Sequence, residues 1–237
     1  MLCFLPNADA ETPAPAYAWE SWKPRLQGVD LLYLADPYLI LDGDVPITGS
    51  WFVNPETGAS ILPDIAQAVN ILARRKGYGR VVFYGSGMGG YAALVLGSFI
   101  RHGHVIAERP QIHLDADPRA RAILAAHGYP TNVPTITELA KNGFGRAARV
   151  TLIASMYDAD HLDNHTAPLI EELRTSERRA TGATFEIVYY DIPSTDEDDA
   201  TLAINRARPH LAAAGLLDLR PAPTADGAEE KVLVDAP

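Results

Sequence analysis

A single cysteine, Cys3, occurs in the 237 residues, so no internal disulfide can staple the fold. It sits in the apolar run Leu2 to Leu5, where a thiol reads as a small core residue of a cytoplasmic protein. Cations are scarce: 20 Lys and Arg face 30 Asp and Glu, a formal net charge of −10. That balance argues against a surface for nucleic acid or an anionic membrane. No apolar run approaches the roughly 18 residues that suggest a membrane span. The start, Met1-Leu2-Cys3-Phe4-Leu5-Pro6, has neither the basic n-region nor the long apolar h-region of a signal peptide. What remains is ordinary for a globular chain, with 47% hydrophobic and 21% charged residues. The expectation is one domain over residues 1–220, followed by a loose tail over 221–237 rich in Pro, Ala and acids.

The chain is organised around Val81-Val82-Phe83-Tyr84-Gly85-Ser86-Gly87-Met88-Gly89-Gly90 and the apolar run Tyr91 to Leu96. The opening residues read as a buried strand and the closing ones as a buried helix. A glycine-dense turn between strand and helix is the setting of a nucleophile elbow, G-x-S-x-G. In Gly85-Ser86-Gly87-Met88-Gly89 the flanking glycines keep that spacing, and the central position is Gly87. Glycine carries no nucleophile. The same residues also satisfy G-x-G-x-x-G, a dinucleotide fingerprint, with Glu108 near the spacing of a ribose-binding acid. A third reading is that the glycines serve only close helix–strand packing.

Strands are expected at Leu2 to Leu5, Val29 to Leu34, Val81 to Tyr84, Val105 to Ala107, Arg149 to Ser155 and Thr184 to Tyr190. A short helix begins at Tyr17 and breaks near Pro24; another runs from Ser60 to Gly77, with Arg74, Arg75 and Lys76 in its last turn. Further helices are expected over 118–127, 135–142, 167–179 and 200–214. Alternating strands and helices predict a mostly parallel sheet of about six strands with helices on both faces. The carboxyl ends of the strands then share one edge, where sites form in such sheets. The irregular stretch Tyr38 to Gly58 is either a lid with exposed aromatics or a Trp51 plug over the core.

Asp36-Pro37, Gly49-Ser50-Trp51-Phe52, Tyr84-Gly85-Ser86-Gly87-Met88-Gly89-Gly90 and Arg109-Pro110-Gln111 together resemble a bacterial group of α/β-hydrolase relatives associated with surface and capsular polysaccharides. The group includes capsule O-acetyltransferases and accessory secretion proteins, and the resemblance spans residues 30 to 215. It implies an α/β-hydrolase-like three-layer fold. In that group the second serine of G-S-S-x-G-G is the nucleophile; here that place is Gly87, with Ser86 before it. The acid maps to Asp158, with Asp160 nearby. The base, a histidine after the last strand, falls in the 193–199 loop, which has no His and carries Asp196 near the expected place. Met88 and Asn7 map to oxyanion-type N–H donors, and Asp36, Trp51, Gln111 and Tyr157 to the pocket.

With both nucleophile and base missing, Ser-His-Asp chemistry lacks its two proton-handling atoms. The expectation is a non-catalytic binding or accessory protein with a carbohydrate, acyl or protein partner and no cofactor. The alternatives are an esterase or O-acyltransferase using Ser86 and a histidine such as His161, and a nucleotide-binding domain. The run Asp158, Asp160, His161, Asp163, His165 has metal-ligand residue types, but it reads as an exposed, charged helix start, and no metal is expected. His102 and His104 read as a surface turn, while His113 and His210 show no partner in the sequence.

Overall fold

A computed structural model describes residues 1–6, 17–39, 49–116, 120–122, 125, 147, 149–175, 184–191 and 200–217. Its centre is a six-stranded sheet in the order β2-β1-β3-β4-β5-β6. The strands are β1 (Leu2–Phe4), β2 (Leu31–Tyr33), β3 (Val82–Ser86), β4 (His104–Glu108), β5 (Arg149–Ser155) and β6 (Thr184–Tyr190). Every neighbouring pair is parallel. This is the doubly covered sheet that the alternation of patterns predicts, and β5 and β6 begin and end at the expected residues. Parallel strands need covering on both faces, and two clusters of buried side chains supply it.

One cluster joins Cys3, Leu5 and Phe83 of the sheet to helices α1 (Leu62–Lys76) and α2 (Met88–Phe99). Helix α1 turns Leu62, Ala66, Val69 and Ala73 inward at helical spacing, and Gly77 ends it at φ 70°. Helix α2 is buried nearly all round, from Met88 to Ser98. That explains its uninterrupted apolar sequence: it has no solvent side to keep polar. Helix α3 (Ala167–Thr175) also lies on this face, through Leu169. The opposite cluster joins Leu2, Phe4, Val82 and Tyr84 to Trp22 and to α4 (Ala200–Ala213) through Ala203, Ile204, Ala207 and Leu211. Here Phe4, Trp19, Trp22, Tyr33 and Tyr84 form one aromatic group with centroid separations of 4.7 to 6.2 Å.

Several sequence expectations need correction. The early helix is a short 3-10 turn, Glu20–Arg25, that begins later than Tyr17 and ends one residue after Pro24, close to the expected break. The helical run before α3 starts at Ala159, earlier than the pattern indicates, and continues as a π turn over Leu162–Thr166. His161 and His165 there are buried, at 8% and 4% exposure, while Asp160 and Asp163 are exposed, so the expected charged, exposed helix start describes the acids and not the two histidines. His104 lies in β4 rather than in a surface turn; His102 is in the turn, at φ 59°. His113 faces Glu172 at 3.5 Å and His210 faces Glu186 at 3.4 Å. Of the helix expected over 118–127, the described residues 120–122 and 125 are helical; its other residues, the helix expected over 135–142, the 193–199 loop and the 221–237 tail lie outside the described residues.

Candidate functional site

The strand-to-helix turn is as tight as its sequence demands. Gly87 separates β3 from α2 with φ 55° and ψ −119°, a conformation that side-chain-bearing residues rarely adopt. Three backbone bonds lock it. Its N–H donates to the Glu108 carbonyl at 3.0 Å, and its own carbonyl accepts from Tyr91 N–H and Gln111 N–H, each at 3.1 Å. The flanking glycines are required by contact: a Cβ on Gly85 would strike the backbone of Gly89, and one on Gly89 would lie 2.5 Å from the Pro6 carbonyl oxygen. The chain leaving β1 therefore presses on the first turn of α2.

Because all six strands run the same way, Pro6, Asp36, the Gly87 turn, Arg109 to Gln111 and Met156-Tyr157 gather at one edge of the sheet. Ser86 precedes the turn as the last residue of β3 and is 3% exposed. Met88 opens α2, and its sulfur accepts the Trp51 N–H at 3.4 Å. Trp51 is 2% exposed and Phe52 0%. Of the two expectations for this stretch, the plug describes Trp51, and a lid with exposed aromatics does not. The Trp51 indole N–H donates to Gln111 Oε1 at 3.2 Å, so plug and post-β4 segment brace each other.

Asp36 is a buried latch for that plug. Its carboxylate accepts from the Ser50 hydroxyl, from Phe52 N–H at 2.9 Å and from Tyr38 N–H at 3.1 Å. Burial pushes its carboxyl above the usual range, while the donors from Ser50, Phe52 and Tyr38 pull it back. The latch has mechanical work to do, because Trp51 and Phe52 are consecutive non-glycine residues at φ 49° and 59°, each costing on the order of 1–2 kcal/mol. Tyr157 differs from the other expected pocket residues: it is 60% exposed, and its hydroxyl bonds Asp191, which raises its pKa.

Asp158 caps the turn that follows it, Oδ1 accepting the His161 N–H at 3.0 Å. Asn7 and Asp196 lie outside the described residues. Among the described residues no three His, Cys, Asp or Glu are grouped to hold a metal ion. No described helix is long and apolar enough to cross a membrane.

Sequence reasoning missed one buried group beneath the turn. Glu108, whose carbonyl holds Gly87, accepts from Tyr84 Oη at 2.6 Å and from Arg206 Nε at 2.7 Å. Arg206 also stacks 4.5 Å over the Tyr190 ring. Glu108 is 1% exposed; burial pushes its carboxyl up, against the pull of Arg206 and Tyr84. The acid that suggested a ribose partner is thus engaged inside the protein. Its Arg206 partner lies 98 residues away in sequence, and no local signal announces the pair.

No family model matches the chain, and no curated protein matches it in sequence. Solved structures do match in shape. The capsule O-acetyltransferase of Neisseria meningitidis serogroup A superposes with a TM-score of 0.60 at 14% identity, over 90% of this chain and 86% of that one. The fold is α/β-hydrolase-like. An acetyl ester–xyloside bifunctional hydrolase from Caldicellulosiruptor lactoaceticus gives 0.53 at 12% identity, over 92% and 84%. The glycosylation-associated Gap123 complex from Streptococcus agalactiae gives 0.55 at 12% identity; the match covers 89% of this chain and 41% of the longer one. Within this α/β-hydrolase-like fold, β3, the Gly87 turn and α2 are the strand–elbow–helix unit.

Proposed function

We propose that this α/β-hydrolase-like protein does not form an acyl-enzyme and acts by binding, as an accessory in polysaccharide or cell-surface synthesis. One observation carries the proposal: the residue at the sharp elbow turn, φ 55° and ψ −119°, is Gly87. The turn that would present a nucleophile is built in full, and the atom that would attack is missing. Ser86 does not supply it, being a buried strand residue one position before the turn. His161 is a poor substitute for the missing base. Its Nε2–H is committed to the Pro110 carbonyl at 3.0 Å, and burial lowers its pKa to about 4.

The names of the structural neighbours support a sugar or acyl ligand: a capsule O-acetyltransferase, a glycosylation-associated complex and an acetyl ester–xyloside bifunctional hydrolase. Asp158 and Asp196 stand in this proposal as vestiges of the acid and base positions. Met88 N–H and an N–H of the Asn7 loop are its oxyanion-type donors. Tyr157, Gln111 and the Trp51 plug are its pocket wall, with Asp36 as the latch behind it.

The test is direct. The purified protein is incubated with a fluorophosphonate probe, mapped by peptide mass, and assayed on aryl acetates and acetylated oligosaccharides. No labelled serine and no turnover are expected, together with saturable glycan binding by calorimetry. Labelling of Ser86, or acyl turnover with kcat on the order of 1 s⁻¹ or faster, overturns the proposal.

A further inference from the structure

The segment after β4 is tied down at every residue from 109 to 113. Arg109, at φ 41°, donates its N–H to the Ile153 carbonyl at 2.8 Å. Pro110 offers its carbonyl to His161 Nε2 at 3.0 Å. Gln111 N–H donates to the Gly87 carbonyl at 3.1 Å. The next two N–H groups, of Ile112 and His113, converge on one atom, His165 Nδ1, each at 3.1 Å. Two histidines on one helical turn therefore hold the segment that holds the elbow.

These bonds fix the proton positions. A carbonyl only accepts, so His161 carries its proton on Nε2, and its Nδ1 faces the Thr166 hydroxyl at 3.4 Å. His165 Nδ1 receives two N–H donors, so it must present a lone pair. A proton added there would point at two other protons, and both bonds would be lost. The π turn over Leu162–Thr166 makes this geometry, setting His165 and Thr166 on the same side as His161. The two rings meet at 5.1 Å between centroids, too close for both to be charged without mutual repulsion.

We propose that His161 and His165 are positioning residues that hold the segment after β4, and through it the Gly87 turn, only in their neutral forms, so that acid releases the turn. The inference stands independently of what the site binds.

The surrounding charges are few. His161 is faced by His165, Asp158 and Arg109: burial and then His165 depress its pKa to about 4, Asp158 opposes them, and Arg109 adds to them. Next to His165, His113 faces Glu172 at 3.5 Å. Asp160 and Asp163 are exposed to solvent. The folded-state pKa of His161 lies below its unfolded value, so the unfolded chain binds protons first. The stability this ring contributes is complete above about pH 6.5 and declines as the pH falls toward 4.

The experiment pairs isosteric variants with NMR on the unmodified protein. His165→Asn keeps an acceptor where Nδ1 lies, and His161→Gln keeps a donor where Nε2 lies; neither titrates. The unmodified protein should lose about 4–8 °C in melting temperature between pH 7 and pH 5 through His161. The double variant should fold at pH 7 and lose distinctly less. His165→Leu, which removes the acceptor, should melt lower at both pH values. Long-range ¹⁵N–¹H spectra should show both rings as neutral Nε2–H tautomers at pH 7. The Gly87 and Gln111 amide signals should move on acidification in the unmodified protein and stay in the double variant. An Nδ1–H tautomer at His165, or equal acid sensitivity of protein and double variant, overturns the proposal. The tautomer measurement decides even if the variants fail to fold.

Discussion

Gly87→Ser is the most informative single substitution, because it restores an atom and strains a backbone at once. The new side chain would stand on a residue held at φ 55° and ψ −119°. The backbone cannot rotate away without breaking bonds to Glu108, Tyr91 and Gln111. Holding a side-chain-bearing residue in such a region costs about 1–3 kcal/mol. At 2–4 °C per kcal/mol for a domain of this size, the melting temperature should fall by roughly 2–12 °C. Gly87→Ala should show nearly the same fall, separating strain from the hydroxyl. Catalysis should not return with the serine alone, since general-base assistance is worth about 10²–10⁴-fold and the 193–199 loop contains no histidine. Gly87→Ser combined with Asp196→His is the variant expected to regain measurable aryl-acetate turnover. Melting curves and aryl-acetate kinetics on the four proteins make the comparison. A Gly87→Ala protein that melts at or above the parent would refute the strain argument. Gly87→Ser turning over alone on the order of 1 s⁻¹ would refute the missing-base argument.

Other substitutions probe the supports of the site. Asp36→Ala should cost about 3 kcal/mol or more in urea unfolding, since it strips a buried acceptor from Ser50, Phe52 and Tyr38; Asp36→Asn, which keeps one acceptor oxygen, should cost less, and an unchanged stability of Asp36→Ala would mean that Asp36 is not the latch. Arg206→Met should cost about 3–5 kcal/mol by leaving Glu108 buried without its cation. Adding Glu108→Gln should recover most of that, and an additive double variant would deny the coupling. Gly89→Ala should lower stability by about 1–3 kcal/mol, because its Cβ meets the Pro6 carbonyl oxygen; an unchanged melting temperature would mean that the β1 loop yields freely.

The sequence announces what local physics dictates and is silent on what distant contacts dictate. Strands β5 and β6 were legible because they are dense in β-branched, aliphatic and aromatic residues: Val150, Leu152 and Ile153 in one, Phe185, Ile187, Val188, Tyr189 and Tyr190 in the other. The elbow was legible because Gly85, Gly89 and Gly90 each sit where a Cβ would crowd neighbouring atoms. Nothing near Trp51 and Phe52 signals left-handed backbone, since that conformation is imposed from Asp36, 16 residues before Phe52. His161 and His165 read as exposed because Asp158, Asp160 and Asp163 surround them. Their burial follows from the post-β4 segment folding onto them, with partners 51 to 53 residues away in sequence.

The strand order β2-β1-β3-β4-β5-β6 also sets a timetable for synthesis. After the early exchange that puts β1 inside β2, each strand leaving the ribosome joins the free edge left by the one before. The sheet is therefore laid down in a single direction, N-terminal portion first. Residues 82–88 emerge early, but their turn cannot close until Glu108 and Gln111 arrive to bond Gly87. The elbow thus waits on β4 and the segment behind it, and the histidines that fasten that segment are made about 50 residues later still. A nascent chain stalled between Gln111 and His161 would carry the glycine turn without its fastening.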